Sequence, residues 1–329
     1  MNPNSMDRLT LDVCWTPDQQ AALMAEEVAH GLTAQPKWLP SKYFYDARGS
    51  ELFDEITRLP EYYPTRTEDS ILRSMGNQLV QEFGFHELAE IGSGLSTKTL
   101  FLLDAMEKLG TLDRYLPIDI SQDALELSAR SLLERYPRLQ VHGIVGDFSQ
   151  HLDRVPSALG RRLVIFLGST IGNLDAHERR PFLESVRKLL VPGDYFLLGL
   201  DLVKDVGRLE AAYNDSAGVT AEFNRNVLHV LNRMLDADFD VDAFEHLAYY
   251  NADQARIEMH LVPAREQKIS LQRIPLGVSI SPPETIRTEI SCKFTREITA
   301  ALLHDGGLRL ERWYSDPEEL FGLALAVAD

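Results

Sequence analysis

Apolar and polar residues follow different periods in different parts of the chain. Between residues 86 and 200, apolar runs of strand length recur at 86–91, 115–119, 141–145, 163–167 and 195–200. Leu163-Val-Ile-Phe-Leu167 has no polar position, as expected of a strand covered on both faces. The stretches 96–109, 121–136 and 177–190 between them read as helices, with Ser121 as a cap. Strand and helix alternate at βαβ spacing, which predicts an α/β fold with a doubly wound, mostly parallel, Rossmann-like sheet. Upstream, Thr16, Pro17 and Gln19 mark a helix start with a capping box, and Gly31 is expected to end that run. Thr67 opens a second helix with Ile71, Leu72, Met75, Leu79 and Val80 on one face. The proline- and aromatic-rich stretches 35–46 and 59–67 read as irregular.

From residue 204 the rhythm breaks. A long helix over 219–235 places Phe223, Val227, Leu228, Leu231 and Met234 on one side. Two strands then flank Asn251-Ala-Asp-Gln254, a hairpin turn, and 267–273 reads as a further strand. The tail resumes with strands at 288–294, 308–313 and 320–327 and a helix at 295–304. The pattern predicts a first part of the sheet domain over 1–203, an inserted α+β substrate-binding domain over 204–286, and the return of the sheet domain over 287–329.

Composition narrows the function. Of 329 residues, 44% are hydrophobic and 25% charged, which fits a globular chain and excludes collagen, coiled coil and disorder. The net charge of −17 repels phosphate backbones and anionic lipid, so neither nucleic acid nor membrane is an expected partner. No apolar run reaches the roughly 20 residues of a membrane span, and residues 1–12 lack the apolar core of a signal peptide. Two cysteines, Cys14 and Cys292, are too few for a disulfide scaffold or a thiolate zinc site, and a reduced, cytoplasmic, monomeric chain is expected. His86, His142 and His246 show no metal-ligand spacing and read as structural.

The candidate chemistry lies at strand ends. Gly92-Ser-Gly94 follows the first strand of the alternating region, Asp119 closes the second, Gly146-Asp147-Phe148 follows the third, and Gly168-Ser-Thr-Ile-Gly-Asn173 follows the fourth. Glycines beside a helix N-terminus let a ligand approach the backbone. Asp119 is placed to hold ribose hydroxyls, and Asp147 with Phe148 to hold an adenine. Each has a plainer reading: a tight turn at Gly92 and Gly94, a helix-capping acid at Asp119, a core ring at Phe148. All four fall where open α/β sheets bind ligands, which favours a nucleoside cofactor. A dinucleotide fingerprint would want a third glycine where Thr97 stands, so a dehydrogenase fits less well. The chain resembles a class I S-adenosylmethionine-dependent methyltransferase.

Flanking motifs narrow the resemblance. Lys42-Tyr-Phe-Tyr-Asp-Ala-Arg-Gly-Ser-Glu-Leu-Phe-Asp54 and Leu59-Pro-Glu-Tyr-Tyr-Pro-Thr-Arg-Thr-Glu68 precede the glycine loop. Phe166-Leu-Gly-Ser-Thr-Ile-Gly-Asn-Leu174, Ala221-Glu-Phe-Asn-Arg-Asn226 and Glu289-Ile-Ser-Cys-Lys-Phe294 follow it. From about residue 32 to 327 the chain is similar to the histidine Nα-methyltransferases of ergothioneine biosynthesis, with residues 1–15 outside the pattern. The resemblance implies S-adenosyl-L-methionine as cofactor, S-adenosyl-L-homocysteine as product, free L-histidine as substrate and three successive methylations to hercynine.

It also implies residue roles. Tyr62, Asn173 and Tyr213 match residues that hold the α-carboxylate and amine, and Glu289 and Ser291 match residues that contact the imidazole. Tyr45, Phe53 and Met259 match pocket-lining residues, with Asn173 and Tyr45 the candidates for catalysis. Gly92, Gly94, Lys98, Asp119, Asp147, Phe148 and Gly168 form the cofactor set. One argument here is independent of resemblance: residues 289 and 291 are two apart, so on a strand they share a face. A tryptophan-directed relative and a non-catalytic binding scaffold are the competing readings; Glu289 and Met259 favour histidine over an indole.

Overall fold

A computed structural model of the chain describes residues 7–94 and 98–328. The first half runs β1 (Leu9–Val13), α1 (Pro17–Thr33), β2 (Lys37–Trp38), α2 (Ala47–Arg58), α3 (Pro64–Phe83), β3 (Glu87–Ile91), α4 (Leu100–Leu109), β4 (Arg114–Asp119), α5 (Gln122–Arg135), β5 (Gln140–Val145), α6 (Phe148–His151) and β6 (Arg162–Phe166). The second half continues with α7 (Ala176–Leu189), β7 (Tyr195–Asp201), α8 (Val206–Ala211), α9 (Val219–Leu235), β8 (Phe244–Asn251), β9 (Arg256–Pro263), β10 (Gln267–Leu271), β11 (Leu276–Ile280), β12 (Ile286–Cys292), α10 (Arg296–Asp305), β13 (Leu308–Ser315) and β14 (Phe321–Ala328).

The chain divides into two compact units, one of Met1–Trp15, Pro64–Leu202 and Phe294–Asp329, the other of Thr16–Tyr63 and Val203–Lys293. The first unit holds an eight-stranded sheet in the order β1-β5-β4-β3-β6-β7-β14-β13. β1 and β3 to β7 pair in parallel, and only β14 and β13 run antiparallel to their neighbours. Every residue of β3 and β6 is buried, as their unbroken apolar character requires. Chain direction across the sheet reverses between β3 and β6, which makes the carboxyl ends of these two strands the topological switch point.

The second unit is built on a four-stranded sheet ordered β2-β12-β9-β8, with β10 and β11 forming a separate hairpin. α9 buries Phe223, Val227, Leu228 and Leu231, while Met234 is exposed.

These boundaries correct the three-part division expected above. Residues 16–63 join the second unit, not the first, and so does strand 286–292. The cause is backbone pairing: β12 hydrogen-bonds antiparallel to β9 and parallel to the two-residue β2. The stretch after residue 46 is helix α2, capped by Asp46, whose side chain accepts the Gly49 N–H at 2.8 Å. β1, outside every sequence pattern, is an edge strand in register with β5.

Caps fared better. Thr16 and Gln19 form the capping box of α1, and Ser121 caps α5. Gly31, however, does not end α1, which runs on to Thr33. A Cβ at Gly31 would lie 2.2 Å from the Trp38 carbonyl oxygen, so the glycine lets the returning chain pass against the helix. The second predicted helix begins at Pro64 instead of Thr67. The expected helix start at Ser96, and Thr97, lie outside the described residues.

Candidate active site

In the first unit, the cofactor candidates collect on the loops at the switch point. Gly92 and Gly94 after β3 have φ of 69° and 49°, and Gly168 after β6 has 73°. A Cβ at Gly94 would meet nothing within 4 Å, so glycine is needed there for backbone conformation, and the space beside it is open. Asp119, the last residue of β4, ties this loop down. One carboxylate oxygen accepts the Gly94 N–H at 2.8 Å and the other the Ser121 N–H at 2.9 Å. Burial pushes the Asp119 carboxyl up, while these backbone donors pull it down. With Ile120 the carboxylate meets three backbone donors on four lone pairs, so the acid can cap locally and still accept a ribose hydroxyl.

Asp147 is the cap of α6, accepting the Ser149 N–H at 2.8 Å and its hydroxyl at 2.6 Å. The Phe148 ring packs edge-on against Phe166 and Phe182, with centroids 5.3 and 5.6 Å apart. The ring thus packs as the plainer reading expected, and it is half-buried. These residues fit an adenosyl group: an acid for the ribose, glycines in left-handed conformation, and an aromatic ring beside a second acid.

Two buried glutamates complete this edge, and sequence reasoning gave neither a role. Glu90, the penultimate residue of β3, accepts the Thr99 hydroxyl at 2.5 Å and also the Tyr115 hydroxyl. Burial raises its carboxyl to about 7. Glu68, on α3, is fully buried and bonds Lys98 Nζ at 2.5 Å and the Gly168 N–H at 2.8 Å. Glu68 ends a motif quoted above and Glu90 lies in the first strand of the alternating region; burial, which marks them out, is invisible in a single sequence. Asn173 closes a one-turn 3₁₀ helix (Thr170–Asn173) on the loop after Gly168 and is half-buried. That loop is shaped by Ser169, at φ 58°, whose hydroxyl accepts the Asp201 N–H at 2.8 Å.

In the second unit, β12 carries the substrate candidates. Its register against β9 slips between Arg287 and Glu289, a bulge of the kind that re-aims a side chain. Glu289 then pairs with Met259, which is buried, and Ser291 with Ile257. Glu289 and Ser291 share one face, as the spacing implied. Burial raises the Glu289 carboxyl to about 7, against the opposing pull of Lys293. The Tyr213 hydroxyl lies 2.8 Å from Ser291 Oγ, and Lys293 Nζ donates to both, at 3.1 and 2.8 Å. Lys293, 2% exposed, was missed, although it continues the two-residue spacing of Glu289 and Ser291. An ammonium has no lone pair, so it occupies acceptor sites on both hydroxyls and biases the pair toward donating.

Aromatic rings extend from this cluster. Tyr213 faces Tyr62 at 6.5 Å, Tyr62 faces Phe53 at 6.2 Å, and Tyr45 lies 5.6 Å from both Phe53 and Phe223. Asp46 anchors the Tyr45 segment to α9 by accepting from Asn226 at 2.8 Å and Arg233 at 2.6 Å. The structure thus joins Tyr45, Phe53, Tyr62, Tyr213 and Ser291 in one unit, with Glu289 and Met259 on adjacent strands. Asn173 belongs to the other unit. His246 bonds Asn224 and the Tyr213 carbonyl, and burial lowers its pKa.

Comparison with known proteins agrees with this geometry. A family model described as "Histidine-specific methyltransferase, SAM-dependent" matches residues 24–328. The chain is 50% identical over 310 residues to a histidine N-alpha-methyltransferase of Mycolicibacterium smegmatis, covering 94% of this chain and 96% of that one. It is 47% identical to the protein of the same name from Mycobacterium tuberculosis, covering 92% and 94%. A 4-dimethylallyltryptophan N-methyltransferase of Claviceps purpurea is more distant, at 25% identity over 87% of this chain and 89% of its own. The chain therefore belongs to the histidine-specific, S-adenosylmethionine-dependent methyltransferase family.

Proposed function

We propose that the protein transfers methyl groups from S-adenosyl-L-methionine to the α-amino nitrogen of free L-histidine, three times, giving hercynine for ergothioneine synthesis. The observation that carries the substrate is the single face of β12 on which Glu289 and Ser291 stand, with Ser291 bonded to Tyr213 and Lys293. An imidazole has one ring nitrogen that donates and one that accepts, and a carboxylate with a hydroxyl two residues away answers both. A half-buried acid and a buried methionine on paired strands suit this ring better than an indole.

Adenosylmethionine supplies a methyl group already activated on a sulfonium. The chain's task is then alignment of the amine lone pair and exclusion of water, which can supply roughly 7–11 kcal/mol. Tyr62 and Tyr213 would hold the carboxylate and amine. The rings of Tyr45, Phe53 and Tyr62 would face the nitrogen as it gains methyl groups, and aromatic faces attract a quaternary ammonium. Asp119 would hold the ribose, Lys98 and the Gly168 loop the amino-acid end of the cofactor, and Asp147 with Phe148 the adenine. No helix among the described residues is long and apolar enough to cross a membrane; a cytoplasmic monomer is the reading that net charge and cysteine content support.

The test is incubation with adenosylmethionine and a panel of free amino acids, read by mass spectrometry. Histidine should be converted to its mono-, di- and trimethylated forms, and tryptophan should lag. In Glu289→Ala the ring loses its acceptor, so kcat/KM for histidine should fall by roughly 1–3 kcal/mol of transition-state binding, while tryptophan loses less or gains. Equal losses for both amino acids would remove Glu289 from the ring site.

A further inference from the structure

The motif that ends in Glu68 precedes the glycine loop, and the cofactor set above leaves this acid without a role. Its carboxylate is 0% exposed, and it spans two loops. One oxygen meets Lys98 Nζ at 2.5 Å, on the loop after β3, and the other accepts the Gly168 N–H at 2.8 Å, on the loop after β6. β3 and β6 are the strands that flank the switch point. The sheet is built around the group: a Cβ at Gly199 of β7 would lie 2.3 Å from the Gly168-facing oxygen of Glu68. Lys98 Nζ in turn would be 3.7 Å from a Cβ at Gly168, so ammonium and glycine share one corner of the open edge.

We propose that Glu68 is a positioning residue for the cofactor's amino-acid end, acting through Lys98 and the Gly168 backbone. A lysine side chain has four rotatable methylenes, and this one is 24% exposed. Without a fixed anion behind it, its ammonium would move out to water. Held by Glu68, it presents its remaining N–H groups along the edge lined by Gly92, Gly94 and Gly168. A carboxylate is the ligand group such an ammonium takes, and adenosylmethionine has one carboxylate. Glu68 also fixes the Gly168 loop on which Asn173 stands, so cofactor end and loop are set by the same side chain. This inference rests on the reading of that edge as the adenosylmethionine site.

The test compares two ligands that differ only beyond the thioether: S-adenosylhomocysteine, with the amino-acid end, and 5′-methylthioadenosine, without it. Calorimetric titration should show Glu68→Gln weakening adenosylhomocysteine by about tenfold or more, the loss expected for one charge-assisted bond. Methylthioadenosine should bind within about twofold of wild type on the same reasoning, since it makes no such bond. Lys98→Met, a substitution at a partly exposed position, should give the same selective loss, and Glu68→Gln added to it should cost little more. Equal weakening of both ligands in either variant, or full additivity, would reduce Glu68 to a structural support and overturn the proposal. Should Glu68→Gln fail to fold, Lys98→Met still decides: unchanged adenosylhomocysteine affinity there overturns it. Wild type that binds neither ligand would instead refute the cofactor reading itself.

Discussion

Strand β3 begins and nearly ends with a buried glutamate, and the two are treated in opposite ways. At the amino end of the sheet, Glu87 faces two arginines, bonding Arg114 Nε at 2.5 Å and pairing with Arg162. Those arginines are themselves satisfied: Arg114 donates to the Ser157 carbonyl and Arg162 to the Pro156 carbonyl, at 2.8 and 2.5 Å. Three residues on, Glu90 is met, among the described residues, by the neutral hydroxyl donors of Thr99 and Tyr115, and burial raises its carboxyl to about 7. Asp119, at the same edge, is also raised by burial. One end of the sheet is electrostatically closed, while the other leaves negative charge under-compensated. On the proposed reading, a ligand with a sulfonium, an ammonium and ribose hydroxyls complements the second end. The difference separates, within one strand, a buried carboxylate met by two arginines from one met by two hydroxyls.

The largest effect should come from opening the closed end. Arg162→Met leaves the fully buried Glu87 with one arginine fewer. Breaking a buried pair in this way should lower unfolding free energy by about 3–5 kcal/mol in urea titration. The protein that remains folded should bind adenosylhomocysteine as wild type does. A loss of affinity in that folded fraction would show that the two ends are coupled and the contrast false.

Asp119→Ala should invert the pattern. It removes acceptors for the Gly94 N–H and, on the reading above, for the ribose, so adenosylhomocysteine affinity should fall by about 1.5–3 kcal/mol in calorimetry. Its unfolding midpoint should move much less than that of Arg162→Met, because a carboxylate raised by burial disappears together with its hydrogen bonds. An unchanged affinity would leave Asp119 as the capping acid alone.

How much of this was legible in the sequence depends on the range of the signal. The βαβ rhythm is local, and the apolar runs at β6 and β7 identify themselves. The loops after β3, β4, β5 and β6 follow from that rhythm, so Gly92, Asp119, Asp147 and Gly168 could be placed by counting. The membership of residues 16–63 in the second unit could not. It depends on β2, two residues long, pairing with a strand some 250 positions later, and on Asp46 meeting Asn226 and Arg233. No periodicity encodes such a pairing. The bulge beside Glu289 and the burial of Glu68, Glu90 and Lys293 are likewise products of packing. A charged residue in a strand pattern reads as solvent-facing until neighbours from elsewhere in the chain cover it.

The smallest effect is also the most direct test of the under-compensated edge. Glu90 has a folded-state value of about 7, above the roughly 4.3 of an unfolded glutamate. Between these values the folded state binds more protons than the unfolded state, so stability falls as pH rises. The favourable contribution is fully present below about 4.3 and lost as pH passes through about 7. Between pH 6 and 8 the loss from this one group should be about 1.4 kcal/mol. Glu289, raised to a similar value, adds a loss of the same sign. Glu90→Gln keeps an acceptor for Thr99 or Tyr115 and cannot ionise, so its unfolding midpoint in urea should decline less than that of wild type over the same range. If wild type and Glu90→Gln run parallel from pH 6 to 8, Glu90 is as well compensated as Glu87, and the two ends of β3 do not differ in the way their hydrogen bonds imply.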